Sequence, residues 1–174
     1  MAKRAKPSVG RPGSAPPPRE VPEGSVDAPA PRLHYWSGAH TRHRILLHLV
    51  FCPKYRRRIL EGALASRIGE LFVECCELNR WLVHELNVQP DHLHLLIQAS
   101  PSNRISDVVK RLKGGSSRFL RQEFPELEEF LWGASFWSEG YFCESVGYRD
   151  EAAVRRYITD QAKAVEVGEL SLDL

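Results

Sequence analysis

The segment Gln89-Pro90-Asp91-His92-Leu93-His94-Leu95-Leu96-Ile97 joins a turn dipeptide to an apolar run that carries two histidines. Successive side chains of a β-strand point to opposite faces, so His92 and His94 would share one face of a strand. Two imidazoles on one face can hold a single divalent metal ion. A strand with one core histidine and one surface histidine gives the same H-x-H pattern, so the motif needs support from the rest of the chain.

The hydrophobic patterns on either side of this segment predict an α+β fold. The predicted elements, in chain order, are strand 44–54, helix 64–81, strand 82–88, strand 92–98, helix 105–121, short strands 135–137 and 141–146, and helix 151–167. A tight hairpin at Pro90-Asp91 joins the second strand to the third. This order is the ferredoxin-like split β-α-β arrangement: an antiparallel sheet with two helices on one face, followed by a C-terminal helix. The other face, or that last helix, is left for function.

The first part of the chain has a different composition from the rest. Residues 1–31 hold eight of the twelve prolines and almost no large apolar side chain. Such a segment cannot bury enough surface to offset its ordering entropy, which predicts a disordered basic tail. We therefore expect a folded domain over 42–168, between a proline-rich tail over 1–41 and a short C-terminal tail over 169–174.

The charge distribution restricts where a nucleic acid could bind. Residues 1–44 hold eight basic and three acidic side chains, whereas the remainder of the chain is slightly acidic, and the total is +2. Because the body is not globally basic, a nucleic-acid surface would have to be a local patch. The four cysteines form no C-x-x-C pair, which predicts reduced thiols in a cytosolic protein. No stretch approaches the roughly 18 apolar residues of a membrane span.

Two basic groups fit such a local patch. Four cations lie within Lys54–Arg58, and the second helix together with Arg104 directly before it carries six basic residues against one acidic residue. Gly114-Gly115 lies inside that helix, where each glycine costs about 1 kcal/mol relative to alanine. Glycine is favoured where a phosphate or another backbone approaches closely. A solvated charged face with a weak point would give the same pattern.

The last predicted helix places Tyr157 and Gln161 one turn apart on one face, because their spacing is i, i+4. Taken alone, the pair is equally consistent with a half-buried packing aromatic and a solvated amide.

Five segments together resemble the single-tyrosine HUH transposases of the TnpA type, which mobilise the smallest bacterial insertion sequences as single-stranded DNA. They are HLVFCPKYRRRIL, LNVQPDHLHLLI, VVKRLKGGSSRFLRQEFPEL, LWGASFWSEGYFCESVG and VRRYITDQ. The similarity runs from about His48 to Gln161 in the order and spacing of the family, and the proline-rich tail lies outside it.

The resemblance implies a role for each of four residues. His92 and His94 match the pair that binds the catalytic metal, Gln161 matches the third metal ligand, and Tyr157 matches the nucleophile. Tyrosine attack on a phosphodiester would leave a 5′-phosphotyrosine and a free 3′-hydroxyl, and strand transfer would reverse that step without a nucleotide cofactor. Mixed imidazole and amide ligation with a phosphate suits Mg²⁺ or Mn²⁺.

The resemblance also implies partners and a location. Members of the family are homodimers in which the catalytic helix is supplied in trans, and they recognise single-stranded DNA hairpins at the ends of the element. We expect the protein in the cytoplasm of a bacterial or archaeal cell, on the nucleoid when bound to DNA, and not in a membrane. The expected DNA contacts come from both basic groups: Lys54, Tyr55, Arg56, Arg57, Arg58, Lys110, Arg111, Lys113, Ser117 and Arg118.

Three other functions share part of these features. A non-catalytic nucleic-acid-binding module uses the same element order, but its central strands carry exposed aromatics where this chain has His92 and His94. A host-adopted relative that nicks hairpins without moving an element would use identical chemistry. A structural zinc site would need four ligands, and the cysteines are not placed to complete one.

Overall fold

The computed structural model describes residues 35–38, 40–132 and 134–161 of the chain. Its elements, in chain order, are β1 Trp36–Ser37, β2 Arg42–His43, β3 Ile45–Phe51, α1 Gly62–Leu78, β4 Leu82–Gln89, β5 His92–Ala99, α2 Ile105–Glu123, α3 Leu127–Leu131, β6 Phe142–Val146 and α4 Glu151–Gln161. None of the helices in these ranges is both long enough and apolar enough to span a membrane. The predicted tails over 1–31 and 169–174, and the predicted end of the last helix at 167, lie outside the described residues.

Four strands form the main sheet in the order β4-β5-β3-β6, and every neighbouring pair is antiparallel. The β4–β5 connection is the predicted tight hairpin, with Gln89 opposite His92. The long strand β3 lies between β5 and β6, so the first and last strands of the predicted motif are neighbours. This is the ferredoxin-like topology, and the predicted fold class is confirmed.

The two faces of the sheet bury different elements. Inward residues of β3 and β5, such as Leu49, Leu95 and Ile97, are fully buried in one large cluster that also contains side chains of α1 and α2. The opposite face carries a smaller cluster that packs Ile158 of α4 against the sheet. Two helices therefore cover one face, as predicted, and the C-terminal helix lies on the other face, which the sequence pattern did not specify.

Two sequence predictions about connecting segments were wrong, whereas the domain start at 42 stays a prediction. A small hairpin lies across that position, because Trp36–Ser37 pairs with Arg42–His43. Leu127–Leu131 is a short helix rather than a loop, and its first and last leucines, one turn apart, are both buried. The predicted strand 135–137 makes only a single bridge, from Trp137 to Pro53. Trp137 is held by burial and by its indole N–H, which donates to Ser116 Oγ at 2.9 Å, rather than by a strand ladder.

Helix α4 is fixed to the sheet by three kinds of contact. Ile158 is fully buried in the smaller cluster. The Asn87 side-chain amide on β4 donates to the backbone carbonyl of Ile158 at 2.6 Å. At the start of the helix, Glu151 forms an ion pair with Arg44, and both side chains are largely buried. These contacts determine the position of Tyr157, which directly precedes Ile158 in α4.

Replacing Ile158 with alanine should weaken the docking of α4 by about 2–5 kcal/mol, because it removes buried methyl groups and leaves a cavity. In this variant, mass spectrometry should show faster amide hydrogen exchange of α4 than in the wild type. The increase should be larger in α4 than in β3 or β5. Thr159→Ala, at the exposed neighbouring position, is the matched control and should leave the exchange pattern unchanged. Equal exchange of α4 in both variants would contradict this account of docking.

Candidate active site

His92 and His94 lie on the face of β5 that α4 covers, with ring centroids 4.8 Å apart and ring planes at 80°. Both positions follow from strand alternation, since Leu93 and Leu95 between and beyond them belong to the large core. The hairpin before β5 starts the strand at His92 and so determines which residues face α4.

His92 is oriented by a carboxylate. Its Nδ1 lies 2.7 Å from Asp91 Oδ1, and the other oxygen of Asp91 accepts from Arg56 Nε at 3.0 Å. Because a carboxylate accepts, Nδ1 carries the proton and Nε2 of a neutral His92 keeps its lone pair. Burial raises the pKa of Asp91, but hydrogen bonds from His92 and Arg56 outweigh burial and hold the pKa below its ordinary value.

The residue that reaches Asp91 comes from a strained turn. Tyr55 and Arg56, in the 3₁₀ turn after β3, have φ values of 62° and 50°. Left-handed backbone at a non-glycine residue costs of order 1–3 kcal/mol and persists only where surrounding contacts determine it. The Arg56–Asp91 ion pair is one such contact, and it links this turn to His92.

His94 is fully buried and uses only one of its ring nitrogens within the described part of the chain. Nδ1 lies 3.0 Å from Nε2 of His48, whereas Nε2 is buried without a hydrogen-bond partner. Burial, together with the neighbouring rings of His92 and His48, lowers the pKa of His94 to about 3. The ring is therefore neutral at physiological pH, which is the form that ligates metals.

Tyr157 lies against His94 and His48. Its ring meets the His94 ring edge-to-face at 5.5 Å between centroids, and it lies 6.4 Å from the His48 ring. The side chain is 38% exposed and lines a cleft of about 320 Å³ together with His48, His94 and Glu144. One chain thus brings its own Tyr157 to its own His94.

Gln161 ends the described part of α4 and is half-buried. Its i, i+4 spacing keeps it on the Tyr157 side of the helix. No group of three or more His, Cys, Asp or Glu side chains suited to a metal occurs within 35–38, 40–132 and 134–161. A metal held by the two histidines would therefore take further ligands of another kind, such as the Gln161 amide oxygen or a substrate phosphate. The unpartnered, buried Nε2 of His94 and this donor set fit a divalent ion.

The first basic group is only partly available for DNA. Tyr55 is 71% exposed, and the Lys54 and Arg57 cations lie over its ring at 5.5 and 5.6 Å from the centroid. Lys54 also forms an ion pair with Glu139 at 3.6 Å, and Arg56 faces Asp91. Arg58 is exposed. The exposed ring with cations over it is the part of this group best suited to meet a nucleic acid.

The second basic group lies along α2. Lys110 and Arg118 are exposed, and Ser117 is half-exposed. Lys113 donates to the backbone carbonyls of Glu139 and Gly140, and Arg111 donates to the Asn79 side chain.

The glycine pair in α2 has no close neighbour among the described residues. A Cβ built at Gly114 or Gly115 would meet no heavy atom of theirs within 4 Å. Within that part of the chain, no backbone approaches the helix closely at the glycine pair.

Two residues that contact the histidine pair were not selected from the sequence. His48 was treated as part of a buried strand and Asp91 as a turn residue. The signal for His48 was a polar ring in the middle of the apolar run 45–51. The signal for Asp91 was a carboxylate directly before an H-x-H motif, where it can bond to the first ring.

The family model described as "Transposase IS200 like" matches residues 41–161 of this chain. The ISDra2 transposase TnpA of Deinococcus radiodurans is 35% identical over 119 residues, which cover 68% of this chain and 85% of that protein. The transposase for insertion sequence element IS200 of Salmonella typhimurium is 33% identical over 131 residues, which cover 75% of this chain and 86% of that protein.

Solved structures are similar in fold. A candidate transposase from Deinococcus radiodurans R1 aligns with a TM-score of 0.61 and 31% identity, over 72% of this chain and 97% of that one. A REP-associated tyrosine transposase bound to a REP hairpin aligns with a TM-score of 0.53 and 12% identity, over 77% of this chain and 76% of that one. The second similarity is one of fold alone.

The lowered pKa of His94 should make the metal-free protein less stable in acid. Its pKa is about 3 when folded and 6.5 when unfolded, so the unfolded chain binds the extra proton and stability falls as the pH drops from 6.5 towards 3. We expect His94→Gln to lose less unfolding free energy than the wild type between about pH 7.5 and about pH 5, measured by urea denaturation.

His40→Gln, at an exposed position, is the control and should keep the wild-type dependence on pH. An equal loss in wild type and His94→Gln would show that the buried ring does not resist protonation.

Proposed function

This chain belongs to the IS200-like transposase family, and from that membership we propose that it cleaves and rejoins single-stranded DNA with Tyr157 as nucleophile beside a divalent metal at His92 and His94. The observation that carries the proposal is the contact between Tyr157 and His94, whose Nε2 is buried and unpartnered within the described residues. A buried ring nitrogen without a hydrogen-bond partner costs free energy, and a metal ion bound at Nε2 would offset that cost.

The chemistry needs one bond to form and one to break at each step. The Tyr157 oxygen attacks the scissile phosphorus, and the bond from phosphorus to the 3′ oxygen breaks. The phenol gives up its proton to solvent, and the departing 3′ oxygen takes up a proton from solvent to become a hydroxyl. The product is a 5′-phosphotyrosine. A different 3′-hydroxyl then attacks the same phosphorus and releases Tyr157. Because the phosphodiester bond energy is kept in the covalent link, no nucleotide cofactor is required.

The residues suited to hold the metal are His92 and His94 through Nε2, with Gln161 as the third ligand. Mg²⁺ or Mn²⁺ bound there would offset negative charge that builds on the scissile phosphate. Asp91 and Arg56 keep the His92 ring in the orientation and tautomer that ligation requires. The Tyr157 side chain is positioned by α4, which is itself held by Ile158 and Asn87.

The substrate class we propose is a single-stranded DNA hairpin at an element end. A protein with the same fold has been solved with a REP hairpin bound, which supports this class. Exposed residues of both basic groups, among them Arg58, Lys110 and Arg118, supply cations for the phosphates. Tyr55 offers an exposed ring on which an unpaired base can stack.

The homodimer implied by the resemblance, with α4 supplied in trans, stays a prediction. Within one chain, α4 already brings Tyr157 to His94. The catalytic unit we propose therefore does not depend on helix exchange.

Tyr157→Phe should abolish the covalent DNA adduct while leaving hairpin binding intact, because only the hydroxyl is removed. The measurement is a denaturing gel of full-length protein incubated with a labelled single-stranded hairpin oligonucleotide from the DNA flanking its gene, with Mg²⁺ or Mn²⁺. Tyr148→Phe, at another exposed tyrosine, is the control and should form the adduct. Adducts with Tyr157→Phe would exclude this nucleophile, and binding without any wild-type adduct would favour a non-catalytic binding module.

Lys110→Ala should weaken hairpin binding and reduce the slope of log affinity against log salt concentration by about 1, because one phosphate contact is lost. The control is Arg67→Ala, since that guanidinium is already engaged by Glu70, Glu74 and Glu123. Fluorescence anisotropy over a salt series would measure both variants. Identical slopes for Lys110→Ala and wild type would remove α2 from the DNA interface.

A further inference from the structure

His48 is a polar ring buried where the strand pattern calls for an apolar side chain. It lies in the middle of β3 and is only 5% exposed. Its backbone pairs with Leu96, and Val50 pairs with His94, so His48 is the diagonal neighbour of His94 on the same face of the sheet. The two rings are nearly coplanar and meet edge to edge, with centroids 5.3 Å apart and planes at 15°.

The hydrogen bond between these rings has a direction that can be deduced. His48 Nε2 and His94 Nδ1 are 3.0 Å apart, so one proton must lie between them. The remaining nitrogen of His94, Nε2, is buried without a partner in the described residues. If Nε2 is to ligate a metal, it must keep its lone pair, which places the proton of neutral His94 on Nδ1. His94 is then the donor, His48 Nε2 is the acceptor, and His48 carries its own proton on Nδ1.

We propose that His48 is a positioning residue that holds the His94 ring in the tautomer and orientation that present Nε2 to the metal. This inference rests on the proposed metal site. His48 does for His94 what Asp91 does for His92, so each histidine of the pair has its own acceptor at Nδ1. Both rings are then constrained to offer Nε2 on the face of β5 that α4 covers.

A packing role alone would have different consequences. His48 also touches the Phe142 ring, at 5.7 Å between centroids, and the Tyr157 ring. If these contacts were its whole purpose, an apolar side chain of similar volume would replace it without loss. The positioning role instead requires a hydrogen-bond acceptor near the place of Nε2, which glutamine can supply through its side-chain oxygen and leucine cannot.

The test is Mn²⁺ affinity of the full-length protein without DNA, measured by the loss of the free-ion signal in electron paramagnetic resonance. Loss of an orienting partner typically costs 10–100-fold in metal affinity. We expect His48→Leu to weaken Mn²⁺ binding by about that factor, and His48→Gln to restore most of it. Equal loss of Mn²⁺ affinity in His48→Leu and His48→Gln, or wild-type affinity in His48→Leu, would show that His48 has only a packing role.

His92→Ala separates failure of this inference from failure of the metal site. Loss of Mn²⁺ binding in His92→Ala together with unchanged binding in His48→Leu would overturn only the positioning role. Wild-type binding in His92→Ala would overturn the metal site itself, and the inference with it.

A second measurement needs no substitution and so does not depend on whether a variant folds. Long-range ¹H–¹⁵N correlation spectra of the metal-free wild type report which ring nitrogen carries the proton. We expect a protonated Nδ1 and a bare Nε2 for His94 at neutral pH. The opposite tautomer would show that His48 donates to His94, and it would overturn the proposal.

Discussion

The register of β5 between β3 and β4 is the constraint on which the rest of the site depends. With Leu95 opposite both Leu49 and Leu86, Leu93 and Leu95 point into the large core and the histidines point to α4. A slip by one residue would send every side chain of the strand to the other face, which would bury the histidines under α1 and α2. The hydrophobic core therefore fixes the position of the polar site, because burial of Leu93, Leu95 and Ile97 permits only one register.

The site contains groups that do not favour folding by themselves. A fully buried imidazole with an unpartnered nitrogen costs free energy, and a tyrosine and an arginine held at positive φ add strain. Such local conflicts tend to occur at functional positions, where the surrounding structure compensates for them. Here the compensation comes from the sheet, from the Arg56–Asp91 ion pair, and from α4 packing over the pair. The same burial that costs free energy keeps His94 neutral and ready to ligate.

Elements whose apolar residues recur at strand or helix spacing could be predicted from the sequence. Segments whose conformation depends on single contacts could not. Alternation in β5, helical spacing in α1 and α2, and the Pro90-Asp91 turn gave the sheet order and the face of the histidines. The short helix at Leu127–Leu131 and the hairpin at Trp36–Ser37 carry too few residues for a period to be read. Trp137 was taken for a strand residue because aromatic residues favour strands, but its indole hydrogen bond to Ser116 joins segments 21 residues apart.

Within the candidate site, the sequence pattern selected residues that form a motif and did not select those that act through a single hydrogen-bond partner. His92 and His94 form a spacing pattern, and Tyr157 was found by resemblance. His48 and Asp91 act through hydrogen bonds that depend on strand register and on a hairpin geometry. Arg56 was assigned to DNA, whereas its guanidinium faces Asp91, because the left-handed turn redirects it. A basic run in sequence does not reveal which of its cations turn inward.

The most direct test of the site is where a metal binds in the crystal. Anomalous diffraction from crystals of the full-length protein grown with Mn²⁺ would locate the ion without reference to activity. The account predicts one strong peak within roughly 2–2.3 Å of Nε2 of both His92 and His94, on the side of β5 that faces Tyr157. An ion bound through Nδ1 of either ring, or at a site away from this pair, would contradict it.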